Sequence, residues 1–513
     1  AVAGPAFAAG DPGILTVGMG SEARSLDPHF GGDSDLQRWM PNSYESLFEL
    51  KPPDGLTLTP LLATKWEVSA DRRTYTFTLR PGVKFSDGTA FNAEAVRVNI
   101  ERIQKGKRGG PYEAIRRIRE VKVLDSSTVQ FLLDQPYDLT PWLTHTFFAS
   151  PAAIKANDKD GDLAADWLKD HTAGTGPYLL AGWRRGVDIV YEQNPHYWRG
   201  WTNQFKRIVI KRIHEAGAQR LLLEKGDLDW AVYVANDAIP ALEKNPGIKI
   251  VKTPSFVQEQ LLWNTAVAPL KDKRVRQALA HAWDFDTYKQ FVVGLTLPPE
   301  GPVPVALFGP HYAIPNPYKF DMARAKKLMA DAGYPNGGFT LKLWTGPIAW
   351  RKPMYDLLSA NFRQLGVGTR LVEDTWPAMN ERVRRWATSQ TEADLLHGVI
   401  YFNVALTPHP RWPLIGMYHS ASHLSKPTGL ANFGYYGNPE VDRLIDQAET
   451  TRDRDKALEI WKRVNALLLE DAPAIYLHKL MFLDFLRADV AGFEAVPYKM
   501  PNYAYYYNLH RTK

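Results

Sequence analysis

Two short stretches of this 513-residue chain set positive charge beside flat rings: Trp350-Arg351, and the run holding His409, Arg411, Trp412, His419 and His423. A guanidinium pairs bidentately with carboxylate or phosphate, and an indole offers a stacking face. Together they suit an anionic or neutral ligand, partly aromatic or sugar-like. The second stretch is also free of acids, with no Asp or Glu from Leu395 to Pro439. At 56 acids in 513 residues, those 45 positions would hold about five. A buried segment is acid-poor in any case, yet an ammonium group buried here without a counter-charge would cost several kcal/mol. Asp394 or Glu22 would have to supply that charge from elsewhere.

Catalytic spacings are missing. The chain contains no G-x-S-x-G, no H-E-x-x-H, no G-x-x-x-x-G-K-[ST] and no G-x-G-x-x-G at a strand-to-helix turn. It is therefore read as a non-enzyme without a cofactor. Its 13 histidines form no HxxxH pair with a carboxylate third ligand, so direct metal ligation is not expected. Asp158-Lys159-Asp160-Gly161-Asp162 has the look of a calcium loop but lacks the Glu required at position 12, and is read as a turn.

Composition narrows the class further. A length of 513 residues exceeds what one core usually serves, which predicts two or more lobes. The absence of cysteine excludes disulfides, thiolate metal sites and thiol nucleophiles. The net charge of +6 is only mildly basic. The clusters Lys105-Gly106-Lys107-Arg108 and Arg116-Arg117-Ile118-Arg119 accompany no nucleic-acid motif and are read as a solvated face. The opening AVAGPAFAAG, with Ala6-Phe7-Ala8 before Ala9, is read as the end of a secretory signal cleaved at an A-x-A site, leaving 1–8 as its remnant. No later stretch approaches the 18 apolar residues of a membrane span. With no cysteine to carry a lipid, a freely diffusing secreted protein is expected.

The elements that would position these residues alternate along the chain. Tyr75, Phe77 and Leu79 alternate with Thr74, Thr76, Thr78 and Arg80, the period of a half-buried strand. Pro81-Gly82 and Asp87-Gly88 mark turns, and Asn92 is placed to cap a helix carrying Val96, Ile100 and Ile103. A strand pair is predicted at 120–123 and 128–132, and a helix at 39–50. Strand 208–212 and helix 216–225 belong to an α/β lobe. A second lobe follows strand 261–264, with helices at 274–283, 323–331, 355–365 and 454–470.

The stretch from Leu61 to Arg102, LLATKWEVSADRRTYTFTLRPGVKFSDGTAFNAEAVRVNIER, resembles the hallmark of the family 5 extracellular solute-binding proteins of ABC importers. Gly174 to Tyr178 (GTGPY), Asn194 to Trp198 (NPHYW), Gly226 to Asp229, Lys273 to Ala278, Ala323 to Tyr334 and Asn438 to Asp442 look like successive markers of the same family. The resemblance implies an α/β, type II periplasmic-binding-protein fold with two lobes and an extra third domain. The first lobe would take 9–50, 176–262 and 481–513, the extra domain 51–175, and the second lobe 263–480. It further implies a receptor that holds its solute between the lobes, closes on it and delivers it to a membrane permease.

Peptide-binding relatives supply an Asp near a D-P element for the peptide α-ammonium. The corresponding stretch here reads Tyr401-Phe402-Asn403-Val404-Ala405-Leu406-Thr407-Pro408-His409, and the carboxylate is missing. Tyr401 and Asn403 occupy the segment that relatives use, while Ser21 and Glu22 resemble the first-lobe loop that contacts ligand. Trp350, Arg351, His409, Arg411, Trp412 and His419 complete the expected ligand set, with His419 the candidate contact for a metal held in an organic chelator. The expected cargo is a small organic solute, anionic or neutral, either a non-standard peptide or not a peptide. The alternatives are a di- or oligopeptide and a nickel or metal chelate. A peptide-handling chaperone or adhesion module on the same scaffold is the reading from a different class.

Overall fold

A computed structural model describes residues 11–30, 39–51, 57–109, 111–292, 294–305, 314–346, 348, 351–403, 412–426, 431–451, 453–494 and 505–512. The chain divides into two compact units, Ala1–Thr253 with Phe482–Lys513, and Pro254–Met481. It passes between them twice, inside the long strands Ile248–Trp263 and Ala474–Arg487.

In the first unit, strand Ile14–Met19 lies parallel to both Arg207–Arg212 and Trp230–Ala231. Asp188–Gln193 and Tyr178–Arg184 extend the sheet antiparallel beyond Arg207–Arg212, and Phe485 and Leu486 of the returning strand pair with Trp230–Ala231. A separate antiparallel sheet runs Ala63–Val68, Thr74–Leu79, Thr128–Leu133, Ile118–Val123. Here the period-two pattern holds: Tyr75, Phe77 and Leu79 are buried and pack with Val96, Ile100 and Ile103 of helix Ala93–Gly106. Asn92 caps that helix through its Oδ1, 2.9 Å from Ala95 N. The helix expected over 39–50 is instead a 3₁₀ turn, Met40–Asn42, and a strand, Phe48–Lys51, paired with Thr57–Pro60. Asn42 explains part of the difference, because its Oδ1 accepts Tyr506 N at 2.8 Å, a tertiary bond that sequence pattern does not report.

Several of the sequence markers turn out to be clasps within one unit. Buried Glu45 accepts Thr175 Oγ1 at 2.8 Å, Trp198 Nε1 at 3.1 Å and Tyr197 OH at 3.4 Å, tying GTGPY to NPHYW. Gly174 is required by close approach, since a Cβ there would lie 2.2 Å from Ser43 O. Asp229 Oδ2 accepts Thr16 N at 2.7 Å and Thr16 Oγ1 at 2.8 Å.

The second unit orders its strands Val367–Glu373, Phe339–Thr345, Gly398–Asn403 and Ile248–Trp263. The first three are parallel and the last is antiparallel to Gly398–Asn403. Helices Lys273–His281, Met322–Asp331 and Arg351–Arg363 pack into this sheet's core, and the unit also holds helices Trp376–Ser389, Pro439–Thr450 and Arg454–Asp471. Arg276, from the marker KRVRQA, is buried and donates to the carbonyls of Leu270, Lys271, Asp471 and Ala472 at 2.5–3.2 Å. Among the described residues no helix is long and apolar enough to cross a membrane.

Candidate functional site

Ligands of open α/β sheets sit outside the carboxyl ends of the strands. In the first unit Ser21 and Glu22 follow strand Ile14–Met19 at that end, beside Arg212, which closes the parallel neighbour. Glu22 Oε1 accepts Trp183 Nε1 at 2.8 Å and Gly186 N at 3.0 Å, and its Oε2 lies 3.4 Å from Arg212. Partial burial alone would raise its pKa, but these donors and the nearby guanidinium groups outweigh it and hold the carboxyl below its ordinary value. A small recess opens here, lined by Ser21, Glu22, Trp39, Asp188 and Arg212.

In the second unit the carboxyl ends of three parallel strands lead toward Arg351, Trp376 and the segment after Asn403. Strand alternation sorts the side chains into two faces. Gln258 stands opposite Asn403 and Gln260 opposite Tyr401, while Glu259 stands opposite Phe402 on the other face. On the first face Tyr401 stacks on Trp376 with ring centroids 4.6 Å apart and planes at 17°. Phe433 meets both rings at 5.2 Å, and Trp344 lies 5.9 Å from Trp376. Trp376 keeps 37% of its surface exposed, so this aromatic group reaches solvent. Gln258 holds the segment Glu300–Gly301 at both ends of its amide, accepting Glu300 N at 3.0 Å and donating to Gly301 O. Asn403 Nδ2 donates to Pro302 O at 2.7 Å, leaving Asn403 Oδ1 buried without a partner. Tyr418 OH donates to Gln260 Oε1 at 2.8 Å.

The opposite face carries a buried ionic group. Glu259, fully buried, accepts Arg351 Nε at 2.6 Å through Oε1 and His478 Nε2 at 2.9 Å through Oε2. The Arg351 guanidinium also lies 4.5 Å above the Phe402 ring. Burial would raise the Glu259 pKa, but Arg351 and His478 together hold it below the ordinary value. Arg351 is thus 2% exposed and engaged by a carboxylate of its own unit.

The described part of the acid-free stretch is held both by neutral bonds and by carboxylates from outside it, with Ser420 N donating to Asp442 Oδ1 at 3.0 Å. Asn432 donates to His419 O at 3.1 Å and Tyr436 O at 2.9 Å, and accepts Tyr436 N at 3.1 Å. His419 is engaged as a cap: its Nδ1 accepts Ala421 N at 2.9 Å, and its Nε2 lies 3.5 Å from Asp446. Trp350, His409 and Arg411 lie outside the described residues, as does the side chain of Trp412, which opens the helical turn Trp412–Gly416. No cluster of metal-ligating side chains occurs among the described residues. In the Asp158–Asp162 turn, Asp158 accepts Leu163 N and Asp162 accepts the N–H groups of Lys159, Ala164 and Asp166.

Sequence reading passed over Gln258, Glu259, Gln260 and Trp376. For the three strand residues the signal was the consecutive polar run Gln258-Glu259-Gln260 between apolar Phe256-Val257 and Leu261-Leu262, where each buried polar group requires a partner.

The sequence profile of the bacterial extracellular solute-binding proteins, family 5 Middle, matches residues 57–421. The chain belongs to this family. It is 29% identical to the glutathione-binding protein GsiB of Pectobacterium atrosepticum, over 97% of this chain and 94% of that one. It is 28% identical to the probable D,D-dipeptide-binding periplasmic protein DdpA of Escherichia coli K12, over 95% and 92%. The solved structure of MoaA with mannopinic acid, from A. tumefaciens R10, matches with a TM-score of 0.78 at 25% identity, covering 98% of this chain and 99% of that one. The α/β fold is therefore that of the two-lobe periplasmic binding proteins, and the protein is a solute-binding receptor of an ABC importer. Members of the family bind small ligands, work with ABC permeases and are periplasmic; its relatives here are transport proteins.

Proposed function

We propose that this receptor carries a small organic solute bearing a carboxylate, either a non-standard peptide or a non-peptide compound. The carrying observation is the second unit's charge arrangement. The segment that relatives use for an ammonium holds no acid from Leu395 to Pro439. The carboxylate nearest in register, Glu259 opposite Phe402, is fully buried and held by Arg351 and His478. What the described face offers is neutral amides and rings, Gln260, Asn403, Tyr401 and Trp376. Glutathione and mannopinic acid, named for GsiB and MoaA, are cargoes of the proposed class. Ser21, Glu22, Tyr401, Asn403, His409, Arg411, Trp412 and Trp350 are the proposed contacts. Arg351 is reassigned from ligand contact to support of the Phe402 ring, because its charge already has a partner. His419 is kept only for a chelate ligand.

The mature protein is proposed to be a monomer that binds no nucleic acid, performs no turnover and has lost a signal ending at residue 8. Native mass spectrometry of gently purified protein, followed by release of bound small molecules, tests the cargo. A single organic acid supports the reading. A ladder of ordinary dipeptides sinks it and restores the alternative that the name of DdpA suggests, with Asp394 or another acid supplying the counter-charge.

A further inference from the structure

Two basic runs that are separate in sequence form one surface in the first unit. The amide of Gln104, near the end of helix Ala93–Gly106, donates to Ile115 O at 3.3 Å and Ile118 O at 2.5 Å. This brings exposed Lys105, Lys107 and Arg108 beside exposed Arg116 and Arg119, with half-buried Arg117 over the Tyr137 ring at 4.4 Å. From Glu101 to Glu120 there are seven cations and three acids, Glu101, Glu113 and Glu120. At the chain's ratio of 62 to 56, seven cations would come with about six acids. Lys105 lies 4.0 Å from Glu101, and attraction to the helix C-terminal dipole accounts for Lys107 but not for Arg119.

The presentation is rigid. Lys107 adopts a left-handed conformation at the helix end, with φ of 50°. Gly109, with φ of +86°, passes so close to His29 that a Cβ would lie 1.9 Å from its carbonyl oxygen. Arg108 and Arg102 both lie over the Phe30 ring, at 4.6 and 4.3 Å. Arg102 is itself fixed by Asp27, at 2.6 Å, and by Leu163 O, at 2.8 Å. A merely solvated face requires no such turn.

We propose that this surface docks the receptor on anionic phospholipid headgroups. A protein partner would need apolar or aromatic anchors at its centre. Among the described residues, the exposed large apolar side chains nearest in the chain, Val123 and Leu124, lie at and beyond the far end of the strand Ile118–Val123 from Arg119. Diffuse attraction of clustered Lys and Arg to an anionic bilayer needs no such anchor. It would hold an importer's receptor in the layer of solution next to its permease. The proposal does not depend on which solute is carried.

The test uses the full chain and extruded vesicles of phosphatidylcholine, with or without phosphatidylglycerol, separated by flotation. Wild type is expected to bind the phosphatidylglycerol vesicles at low salt, more weakly as salt rises, and to ignore pure phosphatidylcholine. The variant Lys107→Glu/Arg108→Glu/Arg119→Glu should lose at least about tenfold in binding. A control of identical net charge, Lys326→Glu/Arg454→Glu/Lys456→Glu on the second unit, should retain it. Equal loss in both triple variants would assign the effect to net charge and overturn the proposal, as would wild type that ignores phosphatidylglycerol. Retained solute-induced thermal stabilisation in both variants shows that they are folded. It also separates failure here from failure of the solute-receptor reading.

Discussion

Two buried carboxylates define what single residues do in this protein. Glu259 is ionised because Arg351 and His478 face it, so removing either partner leaves an uncompensated buried charge. Arg351→Ala is expected to destabilise the second unit by about 3–5 kcal/mol in urea unfolding. The apolar pair Arg351→Met/Glu259→Leu should recover most of that loss. Recovery of stability without recovery of solute affinity would return Arg351 to the ligand contacts. Glu45 is the opposite case: burial pushes its pKa up to about 7 from 4.5, partly countered by Thr175 and Arg199. The folded state therefore binds the proton more tightly than the unfolded state. Its contribution is fully present below about 4.5 and is lost as pH rises through about 7. His29 runs the other way. Burial and the Arg102 charge push its pKa down to about 3, so its contribution is complete above 6.5 and is lost as pH falls. The difference between wild type and Glu45→Gln isolates the first effect and should fall from pH 5 to pH 8 in thermal unfolding. A flat difference would mean that Glu45 does not titrate there.

At the scale of elements, ends and turns carry the definition. Asn438 Oδ1 accepts Glu440 N at 3.0 Å to open helix Pro439–Thr450, and Asn438 Nδ2 donates to Asp471 at 2.9 Å. Asn438→Ala should cost about 1 kcal/mol for the cap, and more for the severed bond to the helix Arg454–Asp471. Tyr436, three residues before the first helix, also donates its OH to Asp471 at 2.6 Å. Gly174→Ala should be far worse than a surface glycine change, because its neighbour is backbone and cannot move aside. Soluble yield and thermal midpoint compared with Gly182→Ala, where a Cβ meets open space, measure the contrast.

For the whole molecule, whose chain passes between its two units inside the strands Ile248–Trp263 and Ala474–Arg487, binding is linked to stability. A solute that binds only the native state stabilises it by about 2.7 kcal/mol at a hundredfold excess over its Kd. Glutathione, a D,D-dipeptide and mannopinic acid are each expected to be ranked by thermal shift in the order of their affinities. No shift with any carboxylated solute, alongside a shift with ordinary dipeptides, would reverse the proposed cargo.

Much of this was legible in the chain itself. Period-two alternation placed Tyr75, Phe77 and Leu79 inward, Asn92 announced a helix, and helix 216–225 was read to its exact ends, because burial and capping are local demands on residue type. Family membership was equally legible, since several marker residues are clasps, as Gly174, Trp198 and Arg276 show. The missing acids from Leu395 to Pro439 could be counted without coordinates. What tertiary structure alone decided was which charges remain available. Arg351 reads as a cation without a partner until Glu259, 92 residues away, is seen against it. Two basic runs read as separate until Gln104 is seen to bridge their segments. The physical reason is the same in each case: pattern reports which face a residue occupies, whereas partnership depends on distances between segments that sequence leaves unordered.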